Sequence, residues 1–295
     1  MSSGSRKIRQ ILPARPASDG AGVAIQRVVG RGQHDMDPFL MLDEIRSDDA
    51  ADFMAGFPAH PHRGIETLTY LLSGGFVHED HLGHRAVLKD GGAQWMSTGR
   101  GIIHSEMPIN GKRGMHGFQL WINLPAKAKM KEPEYRNHPA EEIPSLCLSG
   151  GGEGRVLAGT FHGIDGPTAG PLESLAAAAA AIDVRLPAGV SWSHDEIEGR
   201  SSLFYIYDGY VSIDSSPEQP LRHAQMVLLD QCGGFTLTAG PKGADLLYLS
   251  GRPLGEPIVQ HGPFVMNTAD EIRQAVRDYQ DGTLVAPSGT IKPQR

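Results

Sequence analysis

Short apolar and alternating runs recur along this chain between glycine and proline turns. The first half contains VAIQRVV, IETLTYLLSG, RAVLKDGG and GFQLWINLP, and the second half contains RVLAGTF, IDVRLPAG, SLFYIYDGYVSI, MVLLDQCGGFTLTA and DLLYLSG. Strands of this length, separated by frequent turn signals, are typical of a β-sandwich or a β-barrel. We therefore expect an all-β protein.

One segment near the end of the chain has the pattern of a helix, over residues 268–279. Thr268 and Glu271 have the spacing of a capping box, and Asp281-Gly282 ends the run. Six alanines at 176–181 also favour helix by intrinsic propensity. However, they lead directly into IDVRLPAG, so helix and strand both stay open there.

The two halves of the chain resemble each other weakly. FPAHPHRGIETLTYLLSG and LPAGVSWSHDEIEGRSSLFYIYDG share an order of turn, polar loop, apolar strand and glycine turn, which indicates a duplicated barrel. Between them, KAKMKEPEYRNHPAEEIPS is polar and interrupted by prolines, as linkers are. At 295 residues the chain is long enough for two domains, which we place at residues 1–138 and 139–295.

Charge and hydropathy argue against two classes of partner. The formal net charge of -7 disfavours direct nucleic-acid binding, because such affinity depends on lysines and arginines that neutralise phosphates. No run approaches the roughly eighteen apolar residues that cross a bilayer, and the basic N-terminal segment has no apolar secretory core. We expect a soluble, cytoplasmic protein that binds neither nucleic acid nor membrane.

The cysteines and tryptophans are interpreted as core residues. Cys147 and Cys232 are too few for a disulfide framework and lack the paired spacing of a zinc knuckle, so we expect both to be small core side chains. Trp121 lies in an apolar strand and is expected in the core as well, and the core is also the plain interpretation of Trp95.

Two pairs of residues are candidate metal ligands. His60 and His62 are one residue apart, so in extended backbone both imidazoles leave the same face of a strand and can bind one ion. A single H-x-H pair more often lies on a polar strand face without binding metal. However, His104 and Glu106 repeat the spacing downstream of a glycine-rich turn, and this second pair favours a metal site. Three imidazoles and a carboxylate, without thiolate, suit a divalent first-row metal such as iron at least as well as zinc.

Other histidines are interpreted as structural. The segment FVHEDHLGHR, residues 76–85, holds three histidines and two acidic residues that could form a second ion site. Its glycine marks a turn, and we favour a solvated loop. His194 stands where the second barrel's metal motif would lie, and we interpret it as lacking a ligand partner. The second barrel is therefore expected to be metal-free.

Several motifs together resemble those of a known family. HPHRGIETLTYLLSG resembles the first cupin motif, and GRGIIHSEMP resembles the second. With DPFLMLDE, GFQLWINLP and GEPIVQHGPFVMNT they resemble pirins over nearly the full chain. This resemblance implies two cupin barrels of the jelly-roll type in tandem, a metal only in the first barrel, and a short C-terminal helix.

The resemblance also implies which residues bind the metal. In pirins the H-x-H pair is completed by the H-x-E pair, which selects His60, His62, His104 and Glu106 as ligands of one divalent ion. We expect Fe²⁺ and leave other first-row metals open. In ordinary cupins the carboxylate ligand is the glutamate after H-x-H, here Glu66. We prefer Glu106 because the second pair is intact, and keep Glu66 as the alternative.

Two functions follow from this resemblance. The first is a quercetin 2,3-dioxygenase-type reaction, in which O₂ cleaves a ring of a flavonol or similar flat hydroxylated aromatic and Glu106 accepts a proton. Phe53 and Phe57, just before the first histidine pair, are expected to line the pocket mouth and bind the substrate. The second is a non-enzymatic, iron- or redox-responsive regulator that acts through a protein partner, either a transcription factor or a metabolic enzyme.

Overall fold

The computed structural model describes residues 5–32, 34–109, 114–173 and 175–285. Nearly all of its regular structure is β-strand, which confirms the all-β prediction. In chain order the strands are β1 (Ile8–Pro13), β2 (Arg15–Asp19), β3 (Val23–Val29), β4 (Phe39–Ser47), β5 (Phe57–His62), β6 (Ile65–Ser73), β7 (Gly75–Asp80), β8 (Arg85–Lys89), β9 (Ala93–Ser97), β10 (Ile102–Pro108), β11 (Met115–Asn123), β12 (Glu134–His138), β13 (Ser145–Cys147), β14 (Glu153–Ala158), β15 (Thr160–Gly163), β16 (Gly166–Ala169), β17 (Ala180–Leu186), β18 (Ser191–Asp195), β19 (Ser201–Ile213), β20 (Ser216–Arg222), β21 (Gln225–Leu229), β22 (Gly234–Gly251), β23 (Val259–His261) and β24 (Phe264–Met266).

The predicted helix is α1, Ala269–Gln280. Thr268 caps it, since its hydroxyl accepts from the Glu271 backbone N–H while the Glu271 carboxylate accepts from the Thr268 N–H. The alanine run is divided between a 3₁₀ turn and the start of β17. The 3₁₀ turns are Ala50–Asp52, Ala126–Ala128, Ala140–Glu142, Ser149–Gly151 and Ala176–Ala178. Within the described ranges, no helix has the length and apolar character needed to cross a membrane.

The chain divides into two compact units. As far as each range is described, the first unit consists of Pro16–Arg27, Phe39–Glu142 and Gly255–Arg295, and the second of Met1–Arg15, Val28–Pro38 and Ile143–Leu254. The helix thus lies in the same unit as both candidate metal motifs. The domain limits proposed from the sequence stay a prediction.

The candidate ligands lie in the first unit, which is built around two larger sheets. One sheet has the order β12-β9-β6-β11-β4-β3-β2, and the other has the order β5-β10-β7-β8. The hairpin β23-β24 and helix α1 attach to them: Arg63 donates to the Asp278 carboxylate at 2.7 Å, and its carbonyl accepts from Val265 N–H at 3.1 Å. The C-terminal segment is therefore bound beside the histidine strands.

The second unit contains a nine-stranded sheet. Its main order is β1-β21-β19-β22-β17-β14-β13, with β18 paired to β22 and β20 to β19. One large apolar cluster fills it and includes Trp192, Phe204, Phe235 and Tyr248, none more than 3 % exposed. Because β1 pairs with β21, the start of the chain is part of this unit's sheet.

Both cysteines are exposed, so the prediction that they are core residues is wrong. The short strand β13 alternates in burial, and Leu146 occupies the inward position, which leaves Cys147 on the outer side. Cys232 lies in the bend between β21 and β22, with its sulfur 3.6 Å from a carboxylate oxygen of Glu198.

Candidate metal centre

Three neighbouring strands each contribute an i, i+2 pair of side chains to one face of the four-stranded sheet. Strand β10 lies between β5 and β7, and its His104 is opposite His60 on one side and Asp80 on the other. Directly opposed residues of antiparallel strands share a face of the sheet. The face therefore carries three pairs: His60 and His62, His104 and Glu106, and His78 and Asp80.

His60, His62 and His104 form a compact cluster of imidazoles. One ring nitrogen of each lies within 4.8 Å of the others. His62 and His104 are buried, while His60 is partly exposed. The buried Nε2 of His104 has no hydrogen-bond partner in the described part of the chain. Buried polar atoms are normally satisfied, so this nitrogen fits a metal ion at the centre of the cluster.

The surroundings keep two of these rings neutral. Burial lowers the pKa of His62 and of His104 well below the usual value, and the proximity of His60 lowers both further. A neutral imidazole has the free lone pair that coordination requires. His62 and His104 therefore have the protonation state of metal ligands.

Glu106 lies next to His104 but outside the three-histidine cluster. It belongs to an overlapping group with His104 and His78, whose ligand atoms also lie within 4.8 Å of one another. The register between β10 and β5 shifts after His104, so that Glu106 is opposite Phe57. The bulge lies in β5, which advances three residues, from His60 to Phe57, where β10 advances two.

Two glutamines hold the Glu106 carboxylate. Gln119 Nε2 donates to its Oε2 at 2.8 Å, and Gln94 Nε2 donates to its Oε1. Gln119, Thr69 and Gln94 are directly opposed on β11, β6 and β9, so they form a polar row across the larger sheet. Sequence reasoning missed this row, because each of these strands also contains other polar residues that hide the signal.

In the segment interpreted as a solvated loop, residues 76–80 belong to strand β7, so that interpretation is wrong for them and holds only for the following turn, where residues 82–84 are exposed. His78 and Asp80 are 1 % and 0 % exposed, because they point inward along the strand while the side chain of Glu79 between them reaches solvent. The ring of His78 stacks on Tyr135 with centroids 4.1 Å apart. The period-two spacing of this H-x-D pair, the same as in the other two pairs, was the missed signal.

Glu66, the alternative carboxylate ligand, lies in neither described cluster of metal-ligating groups. It is buried on β6, and its Oε1 is 4.0 Å from the ammonium of Lys131.

A cavity of about 850 Å³ opens onto the histidine cluster. Phe57 lines it, whereas Phe53 is completely buried in an apolar core cluster, unlike its expected place at the pocket mouth. Trp121 lines the cavity too and contacts the His62 ring edge-on, with centroids 5.1 Å apart. Arg27, which is paired with two aspartates, completes a rim that has both aromatic and polar side chains.

His194 in the second unit has a carboxylate neighbour that the sequence interpretation overlooked. Glu196, two residues farther on, lies 3.8 Å from His194 Nε2. Its carboxylate is also 3.3 Å from Arg200 Nε and accepts from Tyr248. Burial opposes ionisation, but hydrogen bonds from His194 and Ser250 and the charge of Arg200 lower the pKa of Glu196 to about 2. The positive charge that pairs with the Glu196 carboxylate is the guanidinium of Arg200.

Known proteins resemble the chain over nearly its whole length. The Pirin family model matches residues 22–122, and the Pirin C-terminal cupin domain model matches residues 181–285. A Pseudomonas aeruginosa protein named provisionally as a quercetin 2,3-dioxygenase is 44% identical over 95% of this chain and 98% of its own. Pirin of Homo sapiens is 37% identical over 94% of this chain and 93% of its own.

Solved structures share the fold. The crystal structure of quercetin 2,3-dioxygenase from Acinetobacter baumannii matches with a TM-score of 0.84 and 29% sequence identity, over 95% of this chain and 99% of that one. With the two matched family regions, this likeness confirms the expected architecture of two cupin domains in tandem with a short C-terminal helix.

Proposed function

Because this chain belongs to the pirin family, we propose that His60, His62, His104 and Glu106 bind one divalent first-row metal ion. The protein then catalyses oxidative ring cleavage of a flavonol or similar flat hydroxylated aromatic by O₂. The observation that carries the proposal is the unpartnered Nε2 of buried His104 beside two further imidazoles.

The hydrogen bonds of the rings support this ligand set. His60 Nδ1 lies 2.8 Å from the Pro58 carbonyl, and His62 Nδ1 lies 3.3 Å from the Pro263 carbonyl. A carbonyl only accepts, so each ring holds its proton on Nδ1 and leaves the Nε2 lone pair for an ion. Glu106 adds the single carboxylate, and a set of three nitrogens and one oxygen suits Fe²⁺.

The protein's own residues would position the substrate and its proton. When bound, the ion supplies Lewis acidity for a substrate hydroxyl and one-electron chemistry with O₂. Phe57 and Trp121 would flank a flat ring in the cavity, whose volume is in the range of small-molecule sites. Glu106 would accept the hydroxyl proton, and Gln119, which both lines the cavity and holds Glu106, would fix the direction of that carboxylate.

Metal content and oxygen uptake test this proposal together. Protein purified without chelator should contain about one ion per chain, because the four proposed ligands form one set around His104. After anaerobic loading with Fe²⁺, it should consume O₂ when quercetin is added. His104→Gln should lose both metal and turnover, while His162→Gln, at an exposed histidine of the second unit, should keep both.

The outcomes separate the two candidate functions. Iron retained without oxygen uptake on any flavonol would contradict the enzyme and favour the iron-responsive regulator that acts through a protein partner. Two ions bound with similar affinity would contradict the single site.

A further inference from the structure

The third imidazole of the cluster is held differently from the other two. Backbone carbonyls fix the protons of His60 and His62, but His104 Nδ1 faces another histidine, with His78 Nδ1 at 3.5 Å. An imidazole nitrogen can donate or accept, depending on its tautomer. The tautomer of His78 therefore decides whether His104 can keep its proton on Nδ1 and leave Nε2 free.

A buried carboxylate determines that tautomer. Asp80 Oδ2 lies 3.4 Å from His78 Nε2 and accepts from His84 Nδ1 at 2.8 Å, while Oδ1 accepts from the backbone N–H groups of Leu82 and His84. Burial opposes ionisation of Asp80, but the hydrogen bonds from His78 and His84 outweigh it and lower its pKa. An ionised carboxylate only accepts, so His78 carries a proton on Nε2.

We propose that Asp80 and His78 are positioning residues that present His104 Nε2 to the metal, an inference that rests on the proposed metal centre. Asp80 holds the proton of His78 on Nε2, and the free Nδ1 of His78 accepts from His104 Nδ1–H. Stacking on Tyr135, with the two rings inclined by 11°, keeps the His78 ring from turning over. His104 then directs an unprotonated Nε2 toward His60 and His62.

His78 also belongs to the second group of metal-ligating residues, with His104 and Glu106. Coordination by His78 would need one of its nitrogens to be free. Both are engaged, one toward Asp80 and the other toward His104. We therefore assign His78 as the partner of a ligand, not as a ligand.

Asp80→Asn tests the tautomer directly. The backbone N–H groups of Leu82 and His84 would keep the amide oxygen at the Oδ1 position, so the NH₂ group would face His78 Nε2. His78 must then accept there and move its proton to Nδ1, which forces the His104 proton onto Nε2. An Asp→Asn change beside the catalytic histidine of serine proteases is known to impose the wrong tautomer.

The main readout needs no metal. In ¹H–¹⁵N spectra of the metal-free protein, His104 should be the Nδ1–H tautomer in the wild type and the Nε2–H tautomer in Asp80→Asn. Affinity for Co²⁺, measured by chelator competition, should fall about 10- to 100-fold in the variant. Glu79→Gln, at the exposed neighbouring position of β7, should change neither quantity.

A second pair of variants keeps the test decisive if Asp80→Asn folds poorly. His78→Gln keeps an acceptor for His104 and a donor for Asp80, so it should retain most of the Co²⁺ affinity. His78→Leu has neither group and should lose affinity. Equal affinity in these two variants, or an Nε2–H tautomer for wild-type His104, would overturn the inference. A wild-type protein that shows the expected tautomer yet binds no metal would instead overturn the proposed function.

Discussion

His60 and His104 are directly opposed on antiparallel strands, and their ring centroids are 4.3 Å apart. Neither the H-x-H pair nor the H-x-E pair alone can place three imidazoles together. The register between β5 and β10 does so, because it brings the two sequence motifs side by side on one face. The site is therefore a property of strand pairing as much as of motif.

The two candidate carboxylates should respond differently to loss of charge. Glu106→Gln should reduce metal affinity by more than the roughly 10- to 100-fold typical of residues that only orient ligands, because a direct bond to the ion is weakened. Glu66→Gln should leave affinity unchanged and lower stability, since its buried carboxylate loses the attraction of Lys131. Metal competition and urea unfolding of both variants distinguish the two roles. An empty site in Glu66→Gln would show that the ligand assignment is wrong.

The two phenylalanines provide a matched test of the cavity. Phe57→Ala should raise KM about tenfold or more, because covering an aromatic ring contributes about 1.5–3 kcal/mol. Phe53→Ala should leave KM nearly unchanged and cost about 3–5 kcal/mol of stability, since Phe53 is 0 % exposed in the core. Steady-state kinetics and thermal unfolding measure both effects. A larger KM change in Phe53→Ala than in Phe57→Ala would show that Phe53 contributes to substrate binding.

Chelation should lower the thermal stability of the first unit. An ion that binds only the folded state stabilises it by about 2.7 kcal/mol at a hundredfold excess over Kd. Calorimetry with and without chelator, on protein first shown to contain metal, measures this shift. The second unit should respond little. Calorimetry should therefore show either two unfolding transitions, of which only the first unit's shifts, or one transition that shifts because the two units unfold together. An unchanged melting curve would mean that the core strands do not hold the ion.

The metal-free protein should lose stability in mild acid. Burial lowers the folded-state pKa of His62 and His104 below 6.5, so below that pH the unfolded chain binds protons that the folded chain excludes. These two groups should have no effect on stability well above pH 6.5. Below it, each should remove about 1.4 kcal/mol per pH unit until its folded pKa is reached. Urea midpoints across this range measure the slope, which should be shallower in His104→Gln. An identical slope in the wild type and in His104→Gln would contradict the inference that His104 is held neutral in the folded protein.

The sequence predicted those parts of the site and fold that depend on residues close together in the chain, such as the alternation of side chains along a strand. Alternation along a strand placed His60 and His62 on one face, and the capping box located α1 within a residue or two. What it could not predict depends on contacts distant in sequence. The register shift that moves Glu106 opposite Phe57 arises between two strands and leaves no mark within either.

Buried polar residues were the other source of error. His78 and Asp80 have the same spacing as the ligand pairs, but the nearby turn glycine suggested solvent. In the sequence, Gln94 and Gln119 look like ordinary surface positions, but Gln94 is buried, Gln119 is partly buried, and both donate to Glu106. The sequence alone cannot explain a polar residue at an inward strand position, because its partner lies on a neighbouring strand, as His104 does for His78, or on another sheet, as Glu106 does for Gln94.

The discontinuous make-up of the two units has a consequence for synthesis of the protein. Strand β1 is made first but pairs with β21. Arg63, which directly follows β5, is hydrogen-bonded to Val265 and Asp278, which are made about 200 residues later. Most of both units therefore leaves the ribosome before either unit can make all of these contacts. During translation, strand edges that still lack their partners are exposed to other nascent chains, which makes aggregation a hazard for this fold.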